Sequence, residues 1–346
     1  MRTWAAAIAA FVVSGTVAFG QGDVNKILGD AREALGGSKK LDALKTVTVA
    51  GRTLRTLPNG SSMEGDFEMA LELPDKFVRR DVLAAMGNMS TYRLSGFNGD
   101  TPINEIDAPP MLSTGNTVVH MRIASAGGGD PATMTAEQKE AARAASLQAA
   151  RRDFSRLALG MLLTLPSYPL TFTHGGTAES PDGTADVVDV KGEGFAARLF
   201  IDSKTHLPLM LSWMDKEPLQ RVIRTAGGPG AAAPAGGGNV VVMGGAGTFT
   251  ATAAGPGGQG AKPPSQMTPE EREKFEKDMA AQLKELEAKR RTVEFRVFYA
   301  DYQAVDGVML PHRIQSSVDG KPTEEITFEK VKVNQKIDPK RFTVSK

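Results

Sequence analysis

Alternating apolar and polar positions recur along the chain and predict a β-rich protein. Between Met63 and Leu73 every odd position is apolar or glycine, and four of the five even positions are acidic. A period of two places successive side chains on opposite faces of a strand. This segment is therefore predicted to be a half-buried strand with one acidic face. Similar alternation follows at residues 195–202 and 207–213.

Short turn signals separate the alternating segments and favour antiparallel pairing. Pro58-Asn59-Gly60, Asn98-Gly99-Asp100 and Asp306-Gly307 each stand between two such segments. Connections of this length join antiparallel strands, because a parallel pair requires a crossover of about a dozen residues or more. The pattern predicts roughly ten to twelve strands in one large, curved antiparallel sheet.

Helical spacing appears near the N-terminus and again in an insertion. Apolar residues recur at helical intervals from Val24 to Leu35, and Gly36-Gly37 marks the end of that helix. A capping box beginning at Thr135 opens a helical insertion over about residues 134–165. The far end of this insertion is apolar, so it is predicted to pack on the sheet.

A second insertion combines a low-complexity loop with a charged helix. Residues 226–264 are mostly Gly, Ala and Pro, which cannot offset the entropy cost of ordering by burial, so we predict a mobile loop with room for one short hairpin at its middle. No Gly-Lys-Ser/Thr motif supports a phosphate-binding loop there. Residues 268–291 are predicted to form a charged helix. Its narrow apolar stripe consists of Phe275, Met279, Leu283 and Leu286.

The N-terminal residues have the features of a secretory signal peptide. Arg2 precedes an apolar run from Trp4 to Val13, and the small residues Ala18 and Gly20 resemble a cleavage site. The run is shorter than the ~20 residues that span a bilayer. We therefore predict cleavage after Gly20 and a periplasmic or secreted protein that is not integral to the membrane.

Composition and charge exclude several classes of function. The 346 residues include 41 basic and 40 acidic ones, for a net charge of +1, so the chain has no global field to attract nucleic acid. Cysteine is absent and only four histidines are present. Disulfides, thiolate metal sites and a Cys nucleophile are excluded, and we predict neither a metal nor a cofactor.

Catalytic patterns are likewise missing from the sequence. No G-x-S-x-G elbow is present for a nucleophilic serine. Four carboxylates with two-residue spacing would all lie on one exposed strand face, which a solvated surface explains better than paired acid and base groups: Glu64, Asp66, Glu68 and Glu72. We predict a protein that is not an enzyme, with a carboxylate-based enzyme left as an open alternative.

Large apolar residues on the predicted inward face are the most informative candidates for a site. Such a face forms either an ordinary filled core or a cavity that accepts an acyl chain. The residues predicted to line it are Phe67, Met69, Phe77, Leu199, Ile201, Leu209, Leu211 and Trp213.

Several motifs resemble one family of exported bacterial proteins, the outer-membrane lipoprotein-sorting (LolA/LolB-like) group. They are dispersed over residues 23–342 and skip both insertions. The segments that carry the resemblance are residues 31–37 (AREALGG), 73–80 (LPDKFVRR), 199–202 (LFID) with 207–209 (LPL), 301–302 (DY) with 306–314 (DGVMLPHRI), and 328–334 (FEKVKVN) with Ile337, Asp338 and Phe342.

The resemblance implies a mainly β fold with helices (α+β), in which an unclosed half-barrel of about eleven strands carries helices over its concave face. It implies a single such domain over residues 21–346. The implied function is that of a periplasmic, non-catalytic carrier that holds an acyl chain of a lipid or an acylated protein. The alternative is an envelope sensor that binds a protein partner through the half-barrel and the inserted helix.

Overall fold

The structure is a computed structural model of the chain. It describes residues 12–13, 21–56, 60–86, 89–107, 120–124, 135–181, 183–217, 221–224, 239–244, 247–252, 268 and 290–343, together with scattered positions between 270 and 289.

Bounds are defined within these residues for three α-helices and seventeen strands, apart from the helical positions between 270 and 289. The helices are α1 (Gln21–Ala34), α2 (Ser38–Asp42) and α3 (Ala136–Ala158), with short 3₁₀ helices at Leu159–Met161 and Pro339–Phe342. The strands are β1 (Val12–Val13), β2 (Thr46–Thr56), β3 (Ser62–Glu72), β4 (Lys76–Met86), β5 (Met89–Asn98), β6 (Thr101–Asp107), β7 (His120–Ala124), β8 (Thr171–Ser180), β9 (Gly183–Gly192), β10 (Phe195–Asp202), β11 (Pro208–Lys216), β12 (Arg221–Arg224), β13 (Asn239–Gly244), β14 (Gly247–Thr252), β15 (Thr292–Val305), β16 (Val308–Val318) and β17 (Lys321–Val333).

Twelve of the strands form one antiparallel sheet. Their order is β8-β9-β10-β11-β15-β16-β17-β2-β3-β4-β5-β6, and the two residues of β1 extend the β8 edge. The sheet is not closed, because its terminal strands do not pair with each other in the described part of the chain. The predicted fold class, an α+β protein built on an unclosed antiparallel sheet, is confirmed.

The chain divides into two compact units rather than presenting one uninterrupted body. The first comprises residues 1–109, 143–215 and 293–346, and the second comprises residues 110–142 and 216–292. A four-stranded sheet of order β12-β13-β14-β7 lies in the second unit. Within this sheet, β7, which precedes the helical insertion, pairs with β14 of the second insertion.

The predicted loop at residues 226–264 contains the β13–β14 hairpin of this second sheet, and the rest of that range lies outside the described residues. The described positions of the charged helix between Glu270 and Lys289 are helical and exposed, whereas its apolar stripe lies outside the described residues. At the end of this helix, the Arg290 Nε donates to the Glu217 carbonyl at 2.6 Å. Apart from Val12 and Val13, the predicted signal peptide also falls outside them.

One large apolar cluster covers a single face of the twelve-stranded sheet, which we call the inner face. Leu199 belongs to this cluster, whereas its neighbour Phe200 belongs to a separate cluster on the opposite, outer face. The rings of Phe67 and Phe328 stack at 5.9 Å across Gly51, with which both residues pair. A Cβ at Gly51 would lie 1.9 Å from the Thr327 carbonyl oxygen, so glycine permits this close approach.

The predicted acidic face of β3 is solvated only in part. Ala70 on that outer face is buried in a cluster with Ile337 and Phe342. The C-terminal segment therefore covers this part of the outer face. Arg341 also forms an ion pair with Glu68 at 3.0 Å, which attaches the segment to the strand.

The helical insertion begins as its sequence predicts. The Thr135 backbone N–H donates to the Gln138 side chain at 2.9 Å, and the Gln138 N–H donates to the Thr135 hydroxyl at 3.2 Å. These are the two reciprocal bonds of a capping box. Phe154, Leu157 and Leu159, at the apolar end of the insertion, join the inner-face cluster.

None of the described helices is both long and apolar enough to cross a membrane.

Candidate binding site on the inner face

The structure brings most of the predicted lining residues together. Six of them are buried in the inner-face cluster: Phe67, Met69, Phe77, Leu199, Ile201 and Leu211. Trp213 packs against the same cluster while partly exposed. Leu209 instead packs against the outer cluster of Phe200 and Met210. The β10–β11 register shifts at this point, pairing Phe200 with Met210 and Ile201 with Pro208, so Leu209 is an extra residue that breaks the alternation.

The inner face is filled in this conformation. Four of the predicted lining residues have 0% exposed surface: Phe67, Leu199, Ile201 and Leu211. A side chain that bordered a water-sized space would retain accessible surface, so no such space adjoins these four. The apolar end of α3 supplies much of the filling. Phe154 inserts its ring edge-on between Phe77 and Phe97, at centroid distances of 5.1 and 5.9 Å.

Two tyrosines of β15 hold the end of α3 against the sheet. The Tyr299 hydroxyl donates to the Arg156 carbonyl, and the Tyr302 hydroxyl lies 2.7 Å from the Gly160 carbonyl oxygen. Burial raises the pKa of both phenols, so they remain protonated donors at physiological pH. A Cβ at Gly160 would lie 2.4 Å from the Tyr299 ring, so the helix end and β15 are in close contact.

Trp213 marks the margin of the filled region. Its ring stacks on Phe295 at 5.4 Å, and the Arg156 guanidinium lies 4.2 Å above it. Arg156 also forms ion pairs with Asp153 at 3.1 Å and with Asp215 at 3.6 Å. Burial lowers the pKa of Arg156, and the neighbouring carboxylates do not fully offset this effect. The indole is thus clamped between an aromatic ring and a cation from α3.

Further along α3, two arginines contact the turn between β5 and β6. Arg151 donates to the Asp100 carboxylate at 2.9 Å, and Arg143 donates to the Thr101 hydroxyl at 3.3 Å. Asp100 is 90% exposed, so this is a surface tether rather than a buried anchor.

Sequence reasoning missed a group of charged side chains on the inner face, which we call the charge cluster: Arg55, Arg79, Asp81, Arg93 and Glu324. Arg79 holds Asp81 with two hydrogen bonds, of 2.6 and 2.7 Å, and also donates to Glu324 at 2.9 Å. Arg55 donates to the other oxygen of Glu324 at 2.7 Å. The Arg79 guanidinium lies 5.2 Å from the centre of the Phe67 ring, so the charge cluster adjoins the apolar cluster directly.

In the charge cluster, burial and the neighbouring charges have opposite effects on the pKa values of Glu324 and Arg79. Burial alone would raise the pKa of Glu324, but the charges and hydrogen bonds of Arg79 and Arg55 outweigh burial and lower that pKa to about 2. Burial would lower the pKa of Arg79, whereas Asp81 and Glu324 raise it well above its usual value. Glu324 and Arg79 therefore stay ionised at neutral pH.

A signal for this cluster does exist in the alternation. On β4, Phe77 is followed two residues later by Arg79 and then by Asp81, so one face changes from apolar to charged. On β17, Ile326 and Glu324 show the same change. The sequence of each strand by itself is typical of an ordinary strand whose charged end is exposed to solvent. Only the order of the strands in the sheet shows that these charged ends lie next to one another.

Other candidate groups do not assemble into a site. Of the four carboxylates on β3, Asp66 faces Arg52 at 3.5 Å and Glu72 faces Lys76 at 2.7 Å, as surface ion pairs. The His312 ring nitrogen Nδ1 is 3.0 Å from the Leu310 carbonyl oxygen. Within the described part of the chain, no three His, Asp or Glu side chains are arranged to hold a metal ion.

The fold is similar to solved structures of bacterial proteins at low sequence identity. A LolA superfamily protein from Nitrosomonas europaea is 8% identical, with 93% of this chain and 97% of that chain covered and a TM-score of 0.41. A domain from Vibrio parahaemolyticus, described as an outer membrane lipoprotein-sorting protein, is 7% identical, with coverage of 93% and 96% and a TM-score of 0.39. A DUF1329 family protein from Desulfovibrio piger is 8% identical, with coverage of 92% and 97% and a TM-score of 0.41.

No protein-family model matches the chain, and no curated protein matches it. The descriptions of two of these structures name the group that the motifs predict.

Proposed function

We propose that this protein is an exported, non-catalytic carrier that holds an acyl chain of a lipid or an acylated protein on the inner face of its sheet. The observation that carries the proposal is the division of that face. One part is a continuous apolar cluster, and the adjoining part bears the charge cluster, with Arg79 against Phe67. An amphiphile has the same two parts, a chain that gains by burial and a polar group that requires hydrogen bonds.

Under this proposal α3 moves to admit the acyl chain, because its apolar end fills the inner face. Its apolar end occupies the space between the rings of Phe77 and Phe97 through Phe154. An acyl chain would replace these helix side chains with contacts of the same chemical kind, so the exchange costs little apolar burial. The described polar attachments of α3 to the sheet include the hydroxyls of Tyr299 and Tyr302, the contacts of Arg156 with Trp213 and Asp215, and the exposed tether at Asp100.

Photolabelling tests this placement directly. Delipidated protein is incubated with a diazirine-bearing fatty acid, irradiated, digested and examined by mass spectrometry. Labels are expected on inner-face residues such as Met69 and Leu199 and on the apolar end of α3. The outer-face residues Phe200 and Met210 are the built-in control, because they belong to the same strands but to the opposite face.

The rate of fatty-acid uptake provides a second test of the carrier proposal. Phe154→Ala removes the ring that fills the inner face and should speed uptake of a fluorescent fatty acid, whereas Phe200→Ala, a comparable truncation on the outer face, should leave uptake unchanged. Folded wild-type protein that takes up no fatty acid, or labels confined to the outer face, would refute the carrier proposal.

A second candidate is the envelope sensor, in which the inserted charged helix contacts a protein partner. The described residues of that helix favour it, because Glu273, Lys277 and Lys284 are all exposed. Under this hypothesis, charge reversal at Lys277 and Lys284 should abolish capture of an envelope protein and leave fatty-acid uptake unchanged. Under the carrier hypothesis, the same substitutions alter neither uptake nor release.

A further inference from the structure

Arg93 differs from the other arginines of the charge cluster in how its charge is balanced. It lies on β5 opposite Asp81, and it shares the inner face with Phe97, four residues further along the strand. Asp81 is already held by two hydrogen bonds from Arg79. The hydrogen bond described for the Arg93 guanidinium is a long one, 3.3 Å, to the neutral side chain of Asn104.

The charge cluster as a whole also has more positive than negative groups. Three guanidinium groups, those of Arg55, Arg79 and Arg93, face two carboxylates, those of Asp81 and Glu324, so the described cluster carries a formal charge of +1. Asp153 of α3 also attracts Arg93, but its carboxylate is engaged by Arg156 at 3.1 Å. Burial lowers the pKa of Arg93, and the attraction of Asp153 and Asp81 leaves that loss uncompensated.

We infer that Arg93, backed by Arg79 and Arg55, is a binding site for the anionic head group of the amphiphile whose chain the inner face holds. The inference rests on the proposed carrier function and adds the class of ligand, a carboxylate or phosphate amphiphile rather than a neutral one. A guanidinium with donors that no hydrogen bond among the described residues uses is suited to either anion, because both accept its N–H groups in pairs. The chain of such a ligand would extend from Arg93 toward Phe97 and Phe77 on the same face.

An anion site at Arg93 is consistent with the way Glu324 is shared by Arg79 and Arg55. Glu324 bridges Arg79 and Arg55 and so fixes their positions without reaching Arg93 through any described hydrogen bond. The two bridged arginines are neutralised in place, which leaves the single excess formal charge at Arg93, on the strand that also carries Phe97. An anion at Arg93 would complete the balance.

Binding measurements on the full-length chain test the inference with three ligands of equal acyl length. Palmitate presents a carboxylate, dipalmitoyl phosphatidic acid presents a phosphate, and 1-monopalmitoylglycerol is neutral. Wild-type protein should bind at least one of the two anions about tenfold more tightly than the neutral ligand, and the preference should weaken at high salt. The comparison of palmitate with phosphatidic acid shows which anion the site takes.

Substitutions then assign the preference to one side chain. Arg93→Gln should remove the roughly tenfold preference while leaving monopalmitoylglycerol binding within about twofold of wild type. Arg93→Lys keeps the charge and should retain most of the preference, which a purely structural role of the arginine would not predict. Arg198→Gln is the matched control, since Arg198 is exposed on the outer face and pairs with Asp189.

The outcomes separate this inference from the function on which it rests. Equal affinity of the wild type for charged and neutral ligands, or an equal loss of all three in Arg93→Gln, overturns the head-group site and leaves the carrier function standing. Failure of the folded wild type to bind any of the three ligands overturns both.

Discussion

The two ends of the inner face are built from the same strands but are held together by different forces. Where β4 and β5 lie under α3, Phe77, Phe97 and Phe154 pack ring against ring, with Phe154 1% exposed. Further along the inner face, Arg79 and Asp81 of β4 and Glu324 of β17 are joined by short charged hydrogen bonds. The apolar end depends on shape and volume, and the charged end depends on partners and protonation.

Under the proposed carrier function, this difference determines which end opens to a ligand. Apolar contacts are non-directional, so a ligand chain can substitute for the helix side chains with little loss. A buried ion pair has no such substitute, because removal of either partner leaves an uncompensated charge. The apolar end is therefore the part suited to exchange, and the charged end is the part suited to remain fixed.

The largest expected effect comes from emptying the apolar end. Phe154→Ala removes a buried ring between two others and should lower the free energy of unfolding by about 3–5 kcal/mol, with little dependence on pH. Urea denaturation measures the change. Leu54→Ala, at a residue 38% exposed, is the control and should change stability by less than about 0.5 kcal/mol. A loss below about 1 kcal/mol in Phe154→Ala would show that α3 does not fill the core.

Glu324→Gln tests the charged end and should cost about 3 kcal/mol at pH 7, because it leaves Arg79 and Arg55 without their shared carboxylate. The folded-state pKa of Glu324 is lowered from 4.5 to about 2, so its ionised form stabilises the fold at neutral pH. That contribution is lost as the pH falls from about 4.5 toward 2, and the difference between wild type and variant should shrink over the same range.

The matched control for this prediction is Glu325→Gln, one residue further along β17 and on the outer face. It should change stability little at any pH. A stability difference between wild type and Glu324→Gln that stays constant from pH 7 to pH 3 would contradict the charge pairing described here.

Gly160→Ala probes the contact between the helix end and β15. The new methyl group would lie 2.4 Å from the Tyr299 ring, so we expect overpacking and a loss of about 1–3 kcal/mol. Gly29→Ala in α1 has no atom within 4 Å of the added Cβ and should be neutral or stabilising by up to about 1 kcal/mol. Thermal unfolding of the two variants compares them, and similar melting temperatures would argue against close packing at Gly160.

Asp100→Asn should have the smallest effect, below about 0.5 kcal/mol, because the carboxylate that binds Arg151 is 90% exposed and screened by water. Chemical denaturation at low and high salt is the measurement. A loss above about 1 kcal/mol, removed by salt, would show that the tether contributes more to the docking of α3 than surface ion pairs usually do.

Much of the fold follows from local patterns, and the site follows from them only in part. The alternation of β3 correctly predicts that Phe67 and Met69 are buried, and the capping box correctly predicts the start of α3. The alternation wrongly places Leu209 with Leu211, because a single extra residue in β11 shifts one side chain to the other face. Such a shift leaves no mark in the pattern of hydrophobic residues.

What the sequence by itself determined is therefore local: which segments are strands, which face of each is apolar and where the helices start and stop. These properties depend on residues within a few positions of one another. Only the tertiary structure decided which strands are neighbours. The hydrogen bonds of Glu324 join it to Arg55 and Arg79, which are 269 and 245 residues away along the chain. The pairing of β7 with β14 likewise joins two segments that are far apart along the chain, residues 120–124 and 247–252. Contacts of this kind arise from the order in which strands pair and from the burial that the whole sheet achieves, and no local spacing of residues encodes that order.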